Sequence, residues 1–283
     1  MGRTREFLDD QVCVVTGATT GIGREVAREL ALMRATVVLG CRDATRGQEA
    51  LRDIVEDSCN DRVMLLPLDL ASQASIRTFA AKLQEKFRQV HVLINNAAVW
   101  MAERLESPDG VELTWATNVL GPFLLTNLLI EKLKESAPAR VINVASTLAR
   151  GLDLEDPEFR RRPFDGMAAY AQSKQALRML TWGWDARYEG SRVTFHAVHP
   201  GIVNTELLRH SKGFLGAVAR PLFRMLGRTP AQGADTIVWL ASADENERTS
   251  GNFWIDRKIK KCPYRDLAAI DRLWALCSEG TRS

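Results

Sequence analysis

Short apolar stretches alternate along the chain with longer segments in which apolar residues recur every three to four positions. The short stretches are typical of buried strands, and the longer segments are typical of helices with one apolar face. We predict strands over residues 12–16, 35–40, 63–68, 90–95, 139–145, 192–199 and 252–256. We predict helices near residues 22–33, 43–57, 73–88, 109–134, 167–188 and 230–241. This alternation predicts an α/β fold with a doubly wound parallel sheet of about seven strands.

The domain organisation follows from length and composition. The chain has 283 residues, of which 46% are apolar, and it contains no internal repeat, low-complexity tract or proline-rich linker. A chain of this length can form one large core, so we predict a single domain over residues 1–283. Its last part, residues 257–283, is predicted to be a tail that is helical around Leu267 to Cys277.

Charge and cysteine content exclude several classes of protein. The formal net charge of +3 is too small to indicate nucleic-acid binding. The five cysteines lack both metal-ligand spacing and the density of a disulfide scaffold, which predicts reduced thiols, no metal site and a cytoplasmic protein. The first eleven residues leave no room for a signal peptide, and no stretch reaches the roughly 20 apolar residues of a membrane-spanning helix.

A glycine-rich turn follows the first predicted strand and precedes the first predicted helix. It reads Thr16-Gly17-Ala18-Thr19-Thr20-Gly21-Ile22-Gly23. Glycines let a backbone approach a pyrophosphate closely, and the N-terminus of the next helix directs N–H groups and a positive dipole at its charge. The spacing differs from the G-x-G-x-x-G of the commoner dinucleotide site. The turn predicts a dinucleotide cofactor.

Tyr170 and Lys174 are four residues apart in a predicted helix, so both side chains lie on one face. A nearby ammonium favours the phenolate and lowers the pKa of a tyrosine from its usual value near 10. The pair therefore predicts an acid–base group, although an isolated Tyr-x-x-x-Lys is more often structural.

The glycine turn and this pair, with five other motifs in the same order, resemble the short-chain dehydrogenase/reductases. The other motifs are Asp69-Leu70, Asn95-Asn96-Ala97-Ala98, Asn118, Asn143-Val144-Ala145-Ser146 and Pro200-Gly201-Ile202-Val203-Asn204-Thr205. Two sequence segments, at residues 39–43 and 165–174, are most similar to the retinol-dehydrogenase-like group. The resemblance implies a Rossmann-type fold, a nicotinamide cofactor, interconversion of an alcohol and a carbonyl, and a homodimer or homotetramer.

The resemblance also implies which residues form the site. Tyr170 is the proton donor and acceptor, Ser146 stabilises the substrate oxygen, Lys174 lowers the pKa of Tyr170 and holds the nicotinamide ribose, and Asn118 positions water for proton exchange. The implied cofactor-binding residues are Gly17, Thr19, Thr20, Gly21, Ile22, Gly23, Arg42, Asp69, Leu70, Asn96, Ala97, Ala98, Tyr170, Lys174, Pro200, Gly201, Ile202 and Thr205. The family usually has glycine at the position of Ala98, and alanine costs little there unless the backbone needs a positive φ.

Arg42, which follows the second predicted strand, favours NADP(H) over NAD(H), because an arginine suits a 2′-phosphate and an acidic residue suits a free 2′-hydroxyl. Asp43 either caps the next helix or competes for the ribose. Asp69 either caps its helix or, by resemblance, lies against the adenine ring. His199 has no acidic or nucleophilic partner at a recognisable spacing, so we interpret it as structural.

Two segments are predicted to shape the substrate pocket. One lies between Ser146 and Tyr170 and contains Arg160-Arg161-Arg162, and the other, residues 206–228, is amphipathic. The second segment is a substrate lid, a membrane-surface contact or a packed helix, and we favour the lid. The expected small-molecule substrate is an apolar alcohol or carbonyl compound of retinoid, steroid, prenyl or aromatic type.

Two other functions remain open from the sequence. A non-catalytic NADP(H) sensor or interaction protein on the same fold would not need the set of Asn118, Ser146, Tyr170 and Lys174. A sugar-nucleotide epimerase or dehydratase shares Tyr-x-x-x-Lys, but those relatives generally have another glycine spacing and a longer C-terminal region.

Overall fold

An eight-stranded sheet forms the centre of the part of the chain that the computed structural model describes, residues 7–203, 227–243 and 249–282. The strands are β1 Val12–Thr16, β2 Thr36–Cys41, β3 Val63–Pro67, β4 Val92–Asn95, β5 Ala139–Val144, β6 Val193–Val198, β7 Asn252–Ile255 and β8 Lys258–Lys260. Their order is β3-β2-β1-β4-β5-β6-β7-β8, and only the β7–β8 pair is antiparallel. The predicted doubly wound sheet is confirmed, with one strand more than expected.

Helices cover both faces of the sheet. They are α1 Gly21–Leu32, α2 Ala44–Ser58, α3 Gln73–Lys86, α4 Leu113–Glu135, α5 Gly166–Arg187, α6 Pro230–Ser242 and α7 Leu267–Gly280. On one face, α1 and α6 bury Leu30, Ile237 and Leu240 against the strands, and on the other, α3, α4 and α5 bury residues such as Phe79 and Leu125. Each face therefore has its own apolar cluster, as a doubly wound fold requires.

The strand order reverses beside β1, whose neighbours are β2 on one side and β4 on the other. Ligands of open α/β sheets bind at the carboxyl ends of strands next to such a reversal. The loops after β1, β4, β5 and β6 carry the predicted site residues, so the topology brings these residues to one edge of the sheet.

Strand β8 was not predicted, because its turn lacks the usual sequence signal. Asp256 and Arg257 connect β7 to β8 with φ values of 53° and 58°. Positive φ at both central residues is typical of a tight hairpin turn, which is usually built from Asn-Gly or Asp-Gly. The strand itself is Lys-Ile-Lys and is exposed throughout, so it has no apolar pattern to reveal it.

Helix α4 begins later than predicted. We expected a helix from residue 109, but Gly110 has a φ of +73° and a short bridge joins Glu106 to Glu112. The Glu112 carboxylate accepts hydrogen bonds from the Thr114 and Trp115 N–H groups, which starts the helix. Residues Ala116–Leu120 then form a π-helical turn inside α4.

Helix α4 also corrects the expectation that no segment is long and apolar enough to span a membrane. Its 23 residues include a window with a mean hydropathy of 1.3, but 83% of that window is buried inside the protein. The apolar surface of α4 is therefore occupied by the protein's own core.

Candidate active site

The glycine turn leaves the N-terminus of α1 accessible to an anion. Thr20 occupies the N-cap position without a side-chain hydrogen bond to the helix, and the first turn contains no acidic residue. Gly17 and Gly21 have φ values of +66° and +58°, which residues other than glycine rarely adopt. Free N–H groups and the positive end of the helix dipole are thus directed at the edge of the sheet where phosphates would bind. Thr19 and Ile22 lie in the same turn and are half-buried.

Asn96, at the end of β4, holds this turn in place. Its side-chain amide donates to the carbonyls of Thr16 and Gly17 at 2.9 and 3.2 Å, and the Thr16 hydroxyl accepts from the N–H groups of Asn96 and Ala97. A Cβ atom on Gly17 would lie 2.8 Å from the Cβ of Ala97, so the two loops are in direct contact. Ala98 does not have a positive φ, and alanine therefore fits there without backbone strain.

After β2, the side chains of Arg42 and Asp43 have different surroundings. The Asp43 carboxylate accepts from the Arg46 N–H at 3.0 Å and caps α2. Arg42 is exposed beside it and has no hydrogen-bond or ion-pair partner in the described residues. The structure thus places Asp43 in the capping role, and among the described residues the Arg42 guanidinium is left without a partner.

Asp69 does not cap α3, because Ser72 occupies that position and accepts from the Ser75 N–H. One Asp69 carboxylate oxygen instead accepts from the Ala71 N–H at 2.9 Å, inside its own turn. The Leu70 side chain is 6% exposed and belongs to the core.

The Ser146 hydroxyl lies near the Tyr170 phenol at the end of β5, close enough to affect its pKa. Ser146 follows that strand directly, and its hydroxyl accepts from the Leu148 N–H at 3.0 Å. Burial raises the pKa of Tyr170 to about 12, and the neighbouring Ser146 hydroxyl opposes this shift. The structure therefore has a protonated phenol and a serine hydroxyl positioned to contact one oxygen atom.

Lys174 lies one helical turn below Tyr170 and is 2% exposed. Its Nζ donates to the Val144 carbonyl at 2.9 Å and lies 5.7 Å from the centre of the Tyr170 ring. Burial lowers the pKa of Lys174 to about 8. An ammonium has three donors, so two remain for other groups beside the tyrosine.

Asn118 is fully buried in the π-helical turn of α4. Its side chain accepts from the Val99 N–H at 2.8 Å and donates to the Val99 carbonyl at 2.9 Å and to the Ser173 hydroxyl at 3.1 Å. These three hydrogen bonds use both amide donors and one of the two acceptor positions of the oxygen, and the role of Asn118 in positioning water stays a prediction. The side chain joins the loop after β4 to the helix that carries Tyr170.

The loop after β6 contains Pro200, Gly201 and Ile202. Gly201 has a φ of +86°, and a Cβ there would lie 2.5 Å from the Arg228 side chain, which explains the glycine. Ile202 is 59% exposed, and Thr205 lies outside the described residues. Burial, with a smaller effect of Arg228, lowers the pKa of His199 to about 4, and its ring contacts Thr147, which favours the structural interpretation.

Asp156 holds the backbone of the segment between Ser146 and Tyr170. The Asp156 carboxylate accepts from the N–H groups of Arg160, Arg161 and Arg162. The Arg162 guanidinium packs on the Phe159 ring at 3.9 Å and donates to Gln172. The predicted lid lies outside the described residues except for residues 227–228.

Two contributors to the site were missed from the sequence, Ser173 and Arg178. Ser173 bonds Asn118 and the Tyr170 carbonyl, and Arg178 reaches the Ser146 carbonyl at 3.4 Å. Ser173 lies inside the Tyr-x-x-x-Lys run. Arg178 is four residues after Lys174, and this helical spacing is the sequence signal that could have indicated its place beside the site.

Comparison with known proteins agrees with this geometry. The family model for short chain dehydrogenases matches residues 11–213. Mouse retinol dehydrogenase 13 is 42% identical over 280 residues, which cover 96% of this chain and 84% of the relative. A crystal structure from Mycobacterium paratuberculosis has a TM-score of 0.78 at 29% identity and covers 100% and 98% of the two chains. The RhlG/NADP complex of Pseudomonas aeruginosa has a TM-score of 0.70 at 26% identity, with 87% and 94% coverage.

The chain belongs to the short-chain dehydrogenases, within the retinol-dehydrogenase-like part of the family. It is an oxidoreductase that acts on CH–OH groups and uses a nicotinamide cofactor. The family resemblance and the α/β fold inferred from the sequence are thereby confirmed.

Proposed function

We propose that this protein is an NADP(H)-dependent oxidoreductase that interconverts an apolar alcohol and its ketone or aldehyde, with Tyr170 as the acid and base. One observation carries the proposal. The neighbouring hydroxyls of Tyr170 and Ser146 lie at the same sheet edge as the open glycine turn, with Lys174 below the phenol ring.

The chain's residues fit a dinucleotide with a 2′-phosphate. The uncapped N-terminus of α1 suits a pyrophosphate, and the exposed Arg42 guanidinium suits a second phosphate beside the ribose. The remaining Asp69 oxygen is available to the adenine, and the free donors of Lys174 are available to the nicotinamide ribose. Gly201, Ile202 and Thr205 would flank the nicotinamide.

The protein's part in the reaction is proton transfer and orientation. When bound, the nicotinamide supplies or accepts the hydride. During reduction, Tyr170 donates its proton to the carbonyl oxygen, and the Ser146 hydroxyl hydrogen-bonds the same oxygen. The Lys174 ammonium then stabilises the phenolate that forms. Oxidation reverses these steps.

Exposed apolar side chains near the tyrosine support an apolar substrate. Met167 precedes Tyr170 by three residues on α5 and is 46% exposed, and Ile202 is also largely exposed at this edge. Relatives named retinol dehydrogenases suggest retinoid-like compounds within this class. We further propose that the protein is cytoplasmic, with peripheral membrane contact through residues 206–228 as an alternative, and that it forms a homodimer or homotetramer.

The test is a titration of the purified protein with NADPH and NADH, followed through quenching of its seven tryptophans. A panel of apolar ketones and aldehydes is then added in the same cuvette. We expect tighter binding of NADPH and carbonyl-dependent loss of reduced cofactor. Binding without turnover on any carbonyl would instead indicate a sensor, and binding of neither nucleotide would contradict the cofactor site.

A further inference from the structure

Arg178 is buried beside the proposed active site, and no carboxylate among the described residues pairs with it. It lies on α5 one turn after Lys174 and is 5% exposed. Its guanidinium packs 3.7 Å from the Phe253 ring and 5.2 Å from the Tyr264 ring. Arginines are rarely buried to this extent unless they pair with a carboxylate.

The hydrogen bonds of Arg178 go to the active-site loop and to the C-terminal segment. One terminal nitrogen donates to the Ser146 carbonyl at 3.4 Å, and the other donates to the Cys262 sulfur at 2.9 Å. Its Nε has no partner, and no carboxylate pairs with it in the part of the chain that the structure describes. Burying a charge in this way is unfavourable, and such exceptions are expected where function requires them.

Tyr264 makes a second connection to the same loop. Its hydroxyl donates to the Ala149 carbonyl while its ring lies against Arg178. We call residues 146–149 the Ser146 loop. Arg178 contacts the first residue of the Ser146 loop and Tyr264 contacts the last, so the loop is held at both ends.

We propose that Arg178 and Tyr264 are positioning residues that hold the Ser146 hydroxyl against Tyr170, and that they thereby make turnover depend on the C-terminal segment 262–264. This inference rests on the proposed function, since it assigns the two residues a role in that reaction. A displacement of about 1 Å in a reacting geometry can lower a rate by as much as about a hundredfold. We expect loss of either connection to let the Ser146 loop shift by such a distance.

The variants Tyr264→Phe, Arg178→Met and Arg178→Lys test this role. Tyr264→Phe removes one hydroxyl and keeps the ring, and we expect kcat to fall about fivefold, as for one lost hydrogen bond. Arg178→Met should lower kcat by at least about tenfold, with the KM for NADPH unchanged. Arg178→Lys should recover part of the loss, because one ammonium cannot reach both partners. Unchanged kcat in Tyr264→Phe and Arg178→Met would overturn the proposal.

Arg187→Met is the matched control. Arg187 also lies on α5 and packs over an aromatic ring, that of Trp274 at 4.1 Å, but it pairs with Asp271 away from the Ser146 loop. We expect the kcat of Arg187→Met to match that of the wild type.

A double-mutant cycle with Ser146→Ala separates positioning from general destabilisation. If Tyr264 acts through Ser146, Tyr264→Phe has no further effect on kcat once the serine hydroxyl is absent. Additive losses would show that Tyr264 acts by another route and would overturn the inference. If Ser146→Ala lowers kcat but the Arg178 and Tyr264 variants do not, only this inference fails. If Ser146→Ala itself leaves kcat unchanged, the proposed role of Ser146 fails, and the inference fails with it.

Discussion

Burial shifts the pKa values of Tyr170 and Lys174 in opposite directions. Removal of water disfavours the charged form of each, so the pKa of the phenol rises to about 12 and that of the ammonium falls to about 8. The sequence predicted that Lys174 lowers the pKa of Tyr170. In this structure the Lys174 Nζ is held by the Val144 carbonyl, and burial is the largest influence on the pKa of Tyr170.

The Lys174 shift predicts a pH dependence of stability. Its folded-state pKa, about 8, lies below its unfolded value of 10.5, so the unfolded state binds more protons between these values and stability rises with pH. Relative to Lys174→Met, the wild type should gain about 2 kcal/mol of unfolding free energy between about pH 7.5 and about pH 9.5. Urea denaturation of both proteins at the two pH values measures this gain. Parallel pH profiles would contradict the shift.

Arg42 gives a second prediction at the scale of a residue. Arg42→Ala should weaken NADPH binding at least about tenfold and leave NADH binding nearly unchanged, because a charge-assisted contact to a phosphate contributes about 1.5–3 kcal/mol. The matched control is Arg52→Ala, an exposed arginine farther along α2. Tryptophan quenching titrations with both nucleotides provide the comparison. Equal weakening of both would show that Arg42 does not read the 2′-phosphate.

At the scale of elements, the π-helical turn in α4 connects the cofactor loop after β4 to α5. Asn118 lies in this turn, and its three hydrogen bonds to Val99 and Ser173 make the connection. A wider helical turn of this kind often marks a functional site. The turn thus explains how a residue in α4 influences the position of Tyr170.

Replacement of Asn118 tests that connection. Asn118→Ala removes the side-chain partner of the half-buried Val99 N–H and carbonyl, so we expect a loss of about 2 kcal/mol in unfolding free energy and a lower kcat. Asn127→Ala, on the same helix, removes only the acceptor of the Trp184 indole N–H and should leave kcat unchanged. Denaturation curves and kcat values of both variants test this connection. An unaffected kcat in Asn118→Ala would show that the turn is purely structural.

Elements with a strong hydrophobic periodicity could be predicted from the sequence. A strand with an atypical turn, and contacts between residues far apart in the chain, could not. The seven parallel strands were predicted to within about two residues, because buried runs between helices leave few alternatives. Strand β8 was missed because Asp256 and Arg257 form its turn without glycine. The motif positions Ser146, Tyr170 and Lys174 were found through spacing and resemblance. The contacts of Arg178 with Cys262 and Tyr264 join residues more than 80 positions apart, which no local pattern indicates.

At the scale of the whole molecule, the C-terminal tail packs against its own chain. The Trp274 ring on α7 lies 4.9 Å from that of Phe123 and 5.9 Å from that of Trp184, on α4 and α5. One edge strand of the sheet is β8, whose lysines disfavour pairing with a strand of another chain. The homodimer or homotetramer remains a prediction, and light scattering would show it as a multiple of 31.6 kDa.

The central claim is that Tyr170 transfers the proton while hydride moves at the same edge of the sheet. The most direct measurement is single-turnover oxidation of NADPH by a reactive carbonyl in the wild type, in Tyr170→Phe and in Tyr188→Phe, a half-buried tyrosine that stacks on Phe195 away from the site. We predict that Tyr170→Phe lowers the rate about 10²–10⁴-fold while NADPH binding is retained, and that Tyr188→Phe behaves as the wild type. An undiminished rate in Tyr170→Phe would contradict the account.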